Sequence, residues 1–451
     1  MQAEDLQAWA LLDALTSNWS GIAVRIGPLP PALAADIEGL RAALAADDAA
    51  SRVAVLVDEL LDLVLDTPAD AYVRELVQRH VLAPTGGQRD ASAQIAVVPA
   101  TAGELGSFQR QLQFDFGTAL QAATDIVDMP VYYATNREPD ATAAGGWGAG
   151  LGSALGWGRV SVSIPLERHR LGVLETRPFW ALWRDRGDRE RYMVMGENLC
   201  FTDPGQFGQS LHRQLQSAGG SDLLVFLHGY NVSFEEAARR AAQLACDLSF
   251  DGAVVLFSWA SWGSLPRYVA DEDRARVSAT ALAEFLRTLQ EGPWRRVHLL
   301  AHSMGNRVLL GALAGRAQPL PAAGRVVLAA ADVYTREFTD IFPRVLAALG
   351  PTPGQLTSYV SRSDRALLLS RWLHGAERIG LFDDGAEPTI LAGLETIDAT
   401  NVDTSMLTRH SYFGDERSVI TDLGLLLAEG LPPARRGLRE VPGRGYWRFA
   451  R

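Results

Sequence analysis

One stretch constrains the fold more than any other: Arg296-Val-His-Leu-Leu-Ala-His-Ser-Met-Gly-Asn-Arg-Val-Leu-Leu310. Residues 297–301 form a short apolar run with the length of a buried strand. Beyond it, Met304, Val308, Leu309 and Ala312 recur at helical spacing. Ser303 sits at the junction, with Ala301 two positions before it and Gly305 two positions after. A strand feeding a helix through so tight a turn needs small flanking residues, because the two backbones pass close together. Such a turn, a nucleophile elbow, lifts the serine hydroxyl out of the sheet edge. Alanine stands here where the first glycine of that pattern is usual.

The surrounding chain alternates in the same way. Strands are expected at 223–227, 253–258, 297–301, 325–330, 356–360 and 394–397, with helices at 235–248, 277–289 and after the elbow. Continuous apolar strands separated by helices imply a mostly parallel sheet with helices on both faces. Shorter β runs are expected at 131–134, 160–164 and 192–195. The glycine-rich segment 143–153 reads as a flexible loop. Upstream, the apolar stripes Leu33, Ile37, Leu40, Leu44 and Val53, Leu56, Val57, Leu60, Leu61, Val64 read as amphipathic helices. The expected division is a small all-helical N-terminal domain (1–90), a linker or irregular segment (91–127) and the α/β domain (128–451).

Composition excludes several classes. No apolar run reaches the roughly 18 residues of a transmembrane helix. The start, Met1-Gln-Ala-Glu-Asp-Leu, lacks the basic region of a secretory signal, so a cytoplasmic location is expected. Cys200 and Cys246 are too few for a disulfide framework. A net charge of −11 argues against nucleic acid as a partner. Residues 1–90 hold 14 acidic and 6 basic side chains, a net −8, so an acidic helical surface could recruit a protein partner there. All 42 basic residues are arginine, which removes Schiff-base, P-loop and Ser–Lys chemistry.

A serine hydroxyl needs a base, an orienter for that base and donors for an oxyanion. Two histidines follow Ser303: His374, soon after an expected helix, and His410, on a loop past the last strand; His410 is preferred. Asp332 and Asp364 each follow a strand after the elbow, with Asp364 the first choice for the acid and Asp332 the reserve. The turn His228-Gly229-Tyr230-Asn231 supplies a backbone N–H from Tyr230 or Asn231 to pair with that of Met304 at the oxyanion. Trp259, Trp262, Tyr268 and Tyr334 are expected near the strand ends, as candidates to line a substrate pocket. Metal-ligand spacing of the H-E-x-x-H kind is absent, and no cofactor is implied.

Several ordered blocks resemble one bacterial family of α/β-hydrolases of unknown function, esterase- and lipase-like. They are Val131-Tyr-Tyr-Ala-Thr-Asn-Arg137, His228-Gly-Tyr-Asn-Val-Ser-Phe234, Ser258-Trp-Ala-Ser-Trp-Gly263 and Ala301-His-Ser-Met-Gly-Asn-Arg307. Ser363-Asp-Arg-Ala-Leu367, Arg378-Ile-Gly380, Thr396-Ile-Asp398 and His410-Ser-Tyr-Phe413 complete the set. The resemblance spans roughly residues 128–430 and implies an α/β-hydrolase fold with a Ser-Asp-His hydrolase site, nucleophile Ser303 and base His410. Ala260 departs from it, where the family usually has proline. The expected activity is hydrolysis of a carboxylic ester, on a small-molecule or lipid-like substrate, through an acyl-enzyme. Alternatives are an amidase or peptidase with the same triad, or an interaction protein recruiting partners through residues 1–90.

Overall fold

In the computed structural model, the described residues are 126–174, 189–248, 250–262, 268–290, 292–350, 354–402 and 417–449, with Thr16, Trp19, Ala34, Ala35, Ile37 and Val97–Pro99 before them. The expected helical unit and linker therefore lie almost wholly outside the described residues, as do His410 and the side chain of Tyr268.

In chain order the strands are β1 (Val97–Pro99), β2 (Ile126–Pro139), β3 (Trp147–Pro165), β4 (Val194–Phe201), β5 (Asp222–Leu227) and β6 (Gly252–Ser258), then β7 (Arg296–His302), β8 (Ala323–Ala329), β9 (Leu356–Val360), β10 (Leu394–Asp398), β11 (Arg439–Glu440) and β12 (Trp447–Arg448). The helices are α1 (Pro204–Ala218), α2 (Phe234–Asp247), α3 (Tyr268–Leu289), α4 (Gly305–Ala314), α5 (Thr335–Leu349), α6 (Arg365–His374) and α7 (Arg417–Gly424).

The described strands form one sheet, ordered β1-β4-β3-β2-β6-β5-β7-β8-β9-β10-β12-β11. Every neighbouring pair from β2 through β12 is parallel, while β3 runs antiparallel to β2 and β4. Strand β5 shows why the sheet is buried on both sides. Leu223, Val225 and Leu227 join the core under α1, α3, α4 and α5; Leu224 and Phe226 join the core under α2 and α7. Each such side chain contributes about 1.5–3 kcal/mol of apolar burial. The helices start where local chemistry dictates. Ser233 and Glu236 close a reciprocal capping box on α2, and Asp203 caps α1 ahead of Pro204.

The chain leaves β5 for β6 on one side and returns to β7 on the other, so its direction reverses at β5. A ligand crevice in such a sheet opens outside the carboxyl ends of the strands, at that reversal. Leu227 pairs with Ala301, which sets the turn after β5 beside the turn after β7.

The glycine-rich segment differs from expectation. Only Ala144–Gly146 form a short 3-10 turn, and β3 runs from Trp147 through the later glycines. The cause is close packing: a Cβ on Gly156 would lie 2.1 Å from the Trp147 ring, and one on Gly158 would lie 2.3 Å from the Tyr133 hydroxyl. Here glycine makes room for aromatic side chains crossing the strand.

Candidate active site

The turn from β7 into α4 carries the strain expected of an elbow. Ser303 has φ 51°, a left-handed conformation uncommon for a residue with a side chain. Hydrogen bonds at its backbone hold it there, including one from Asp332 N–H to Ser303 O at 3.3 Å. Ser303 N–H donates to Ala329 O at 3.0 Å, while the Asn306 backbone N–H and Nδ2 donate to Ser303 O at 3.1 and 2.9 Å. Ser303 is buried, and its Oγ has no hydrogen-bond partner among the described residues. A buried hydroxyl left unmatched is a functional signal, since native interiors pair nearly all such groups.

Gly305 lets the elbow fit. A Cβ there would stand 2.4 Å from His228 O and 3.0 Å from Leu227 O, both backbone atoms of β5 and its turn. Gly229 lies over the serine in turn, since a Cβ on it would stand 3.0 Å from Ser303 Cβ and from His302 Nδ1. The β5 turn and Ser303 are thus in direct contact, and Met304 begins α4 beside them.

A buried polar scaffold holds the β5 turn. Arg137 reaches in from the end of β2 and donates to Ser258 Oγ (2.9 Å), Gly148 O (3.2 Å), Ser261 O (3.0 Å) and Val232 O (2.6 Å). Burial lowers its pKa to about 10, so it stays charged at neutral pH. The His228 ring stacks on Trp259, 5.4 Å between centroids, and Trp259 Nε1 donates to His228 O at 2.8 Å. Burial, and then the Arg137 charge, push the His228 pKa down to about 3. The neutral ring donates from Nδ1 to Gly229 O (2.8 Å) and presents Nε2 toward Arg137 and Ser258. His228 is therefore fixed in the scaffold and is no base at neutral pH.

The two candidate acids have different surroundings. Asp332 lies beyond β8, its N–H 3.3 Å from Ser303 O. Its carboxylate pairs with buried Arg378 at 3.1 Å and accepts from Ser370 Oγ at 2.8 Å. Asp364, fully buried beyond β9, caps α6 by accepting from Leu367 N–H at 2.9 Å. His374 donates from Nδ1 to Ser370 O (2.8 Å), and its Nε2 stands 3.6 Å from Glu272 Oε1.

The described aromatic candidates have different surroundings. Trp259 is fully buried beneath the β5 turn. Trp262 is half-buried with the Arg274 guanidinium 3.8 Å from its ring centre. Tyr334 lies between Arg307 (4.8 Å) and Arg378 (4.0 Å) and lines an open depression with Thr335, Ile341 and Ala376. Sequence reasoning gave no site role to Arg137 or Asn306, although both stand inside the resembling blocks. Arg137 acts on segments distant in the chain, and Asn306 on the backbone of the elbow itself.

Among the described residues, one group has the composition of a metal site: His169, Cys246 and Asp247, with donor atoms within 4.8 Å of one another. Asp247 already accepts from His169 Nε2 (2.7 Å), Gly172 N–H (2.8 Å) and Gln243 Nε2. The group joins the turn after β3, which carries His169, to the last turn of α2, which carries Cys246 and Asp247, at the starting edge of the parallel strands.

Sheet order, a strained serine between β7 and α4, and a glycine turn over that serine define an α/β-hydrolase domain. Residues 204–427, about half of the chain, match the family described as alpha/beta hydrolase of unknown function (DUF900), and the chain belongs to that family through this domain. No curated protein matches the chain. No helix among the described residues is long and apolar enough to cross a membrane.

Proposed function

We propose that the domain is a serine hydrolase that cleaves a carboxylic ester through an acyl-enzyme. The observation that carries this reading is Ser303 itself: left-handed at a strand–helix turn, buried, and with its Oγ unmatched among the described residues. In this reading Ser303 Oγ attacks the ester carbonyl carbon and its proton passes to His410. The tetrahedral oxyanion accepts hydrogen bonds from Met304 N–H and from one N–H of the Tyr230–Asn231 turn. His410 then protonates the departing alkoxide, and a water activated by the same imidazole releases the acid and restores the serine.

Asp364 is the proposed orienter of His410. Asp332 is the weaker candidate because Arg378 and Ser370 already claim its carboxylate, which would have to leave a buried ion pair to serve a histidine. Met304 opens α4, so the helix dipole adds partial positive charge where the oxyanion forms. Hydrolysis of short p-nitrophenyl esters by wild type and by Ser303→Ala tests the proposal. It expects turnover in wild type and loss of about 10⁴-fold or more in the variant; equal rates would refute it.

A further inference from the structure

The group at the end of α2 shares no residue with the proposed hydrolase machinery. His169, Cys246 and Asp247 bring their donor atoms within 4.8 Å of one another. An imidazole nitrogen, a thiol sulfur and a carboxylate oxygen together are the donor set of a borderline-soft divalent cation such as zinc. The carboxylate is already aimed. Asp247 Oδ2 accepts from Gly172 N–H at 2.8 Å and from Gln243 Nε2, while Gln243 Oε1 accepts from Arg240 Nη1 at 2.9 Å. That chain of bonds sets the direction of the Gln243 amide and leaves Oδ1 turned toward His169 Nε2, 2.7 Å away. Carboxylates that bind metal are oriented by outer partners of this kind. The His169 and Asp247 side chains are only 7% and 1% exposed, and half-buried Cys246 gives the way in. Charge favours a cation as well. The last turn of α2 ends on Asp247 and holds no basic residue, so an acid meets the negative end of the helix dipole. A hydrogen-bonded His–Asp pair accounts for two of the three groups; the Cys246 thiol beside them is the one a metal explains.

We propose that His169 Nε2, Cys246 Sγ and Asp247 Oδ1 bind zinc or a cation of like chemistry, which pins the turn after β3 to the end of α2. The site goes beyond the hydrolase reading and does not depend on it. Ligands in a tetrahedron around zinc stand about 3.3–3.8 Å apart. Entry of the ion therefore opens the His169–Asp247 contact by about 0.5 Å or slightly more and draws Cys246 Sγ inward by up to about 1 Å. Three protein ligands leave the fourth position to water. Binding displaces the hydrogen on His169 Nε2 and the proton of the Cys246 thiol, so protons leave as the ion arrives. His169 and Asp247 are 78 residues apart in the chain, so the ion closes a long loop and stabilises the fold accordingly.

The test uses the untagged full-length chain, stripped with a chelator, with Co²⁺ as the spectroscopic probe and Zn²⁺ as its competitor. Co²⁺ is expected to bring up a thiolate-to-cobalt charge-transfer band that saturates at one ion per chain and that Zn²⁺ abolishes. Cys246→Ser should remove the band, and His169→Gln should weaken Co²⁺ binding tenfold or more. Cys200→Ser, which alters the other cysteine, should keep the band. Gln243→Leu, which removes an outer partner of the carboxylate, should weaken binding about 10- to 100-fold. In wild type, Zn²⁺ should raise the urea midpoint, slow hydrogen exchange over residues 168–173 and shield Cys246 from iodoacetamide. A wild type without the band, a band that survives in Cys246→Ser, or one lost in Cys200→Ser overturns the proposal. If Cys246→Ser does not fold, labelling of wild type decides: equal reaction of Cys246 with iodoacetamide in the presence and absence of Zn²⁺ overturns it.

Discussion

Replacing Gly305 by alanine perturbs the elbow by a single methyl group. The new Cβ would stand 2.4 Å from His228 O and 3.0 Å from Leu227 O. A carbon–oxygen contact settles at about 3.3–3.6 Å, so the His228 carbonyl or the start of α4 must retreat by roughly 1 Å. Both moves cost stability, because overpacking a rigid interior costs about 1–3 kcal/mol. They also damage the proposed site. His228 O accepts from Trp259 Nε1 at 2.8 Å, and the two residues after it carry the glycine that lies over Ser303 and a candidate oxyanion donor. A displacement of about 1 Å at such a donor costs on the order of a hundredfold in rate. Gly305→Ala should therefore unfold at lower urea and lose about 10²-fold in kcat toward p-nitrophenyl esters, with KM changed less. Equal kcat and an unmoved urea midpoint would refute the claim that the β5 turn and the elbow are packed against each other.

Three further outcomes separate the roles of the buried acids. Asp364→Asn should lower kcat by about 10⁴-fold while the urea midpoint moves little, measured on folded protein. Asp332→Ala should cost about 3–5 kcal/mol in urea unfolding by leaving Arg378 unpaired, with kcat per folded molecule within a few-fold of wild type; exchange of these two phenotypes would make Asp332 the acid. At Asp222, burial alone would raise the pKa, yet hydrogen bonds from Arg295 and Arg296 outweigh it and hold it at about 2. Its folded pKa lies below the usual carboxylate value near 4. Its stabilising contribution is therefore present above about pH 4 and lost as pH falls toward 2. Urea titrations between pH 5 and 2 should show a shallower acid loss in Asp222→Asn than in wild type.

The strands β5, β6, β7, β8, β9 and β10 were legible because apolar runs such as Leu223-Leu-Val-Phe-Leu227 announce burial on both faces from adjacent residues alone. The elbow was legible for the same local reason: strand, small-residue turn and helix follow one another without interruption. Helices α1 and α5 escaped notice because Gly205 and Gly208 in the first, and Pro343 in the second, are breakers that tertiary packing overrides. The long β3 was hidden by glycines whose purpose is visible only once Trp147 and Tyr133 are seen to cross them. Arg137 lies far from the segment it organises, 95 residues from Val232. Ahead of folding it is an arginine at a strand end, where one is ordinary.

Reaction of the full-length protein with a fluorophosphonate, followed by intact mass and peptide mapping, tests the central claim most directly. The account predicts one covalent adduct per chain, on Ser303, absent from Ser303→Ala and slowed in Asp364→Asn. An adduct mapped to another residue, or a folded protein that takes up no probe, would contradict it.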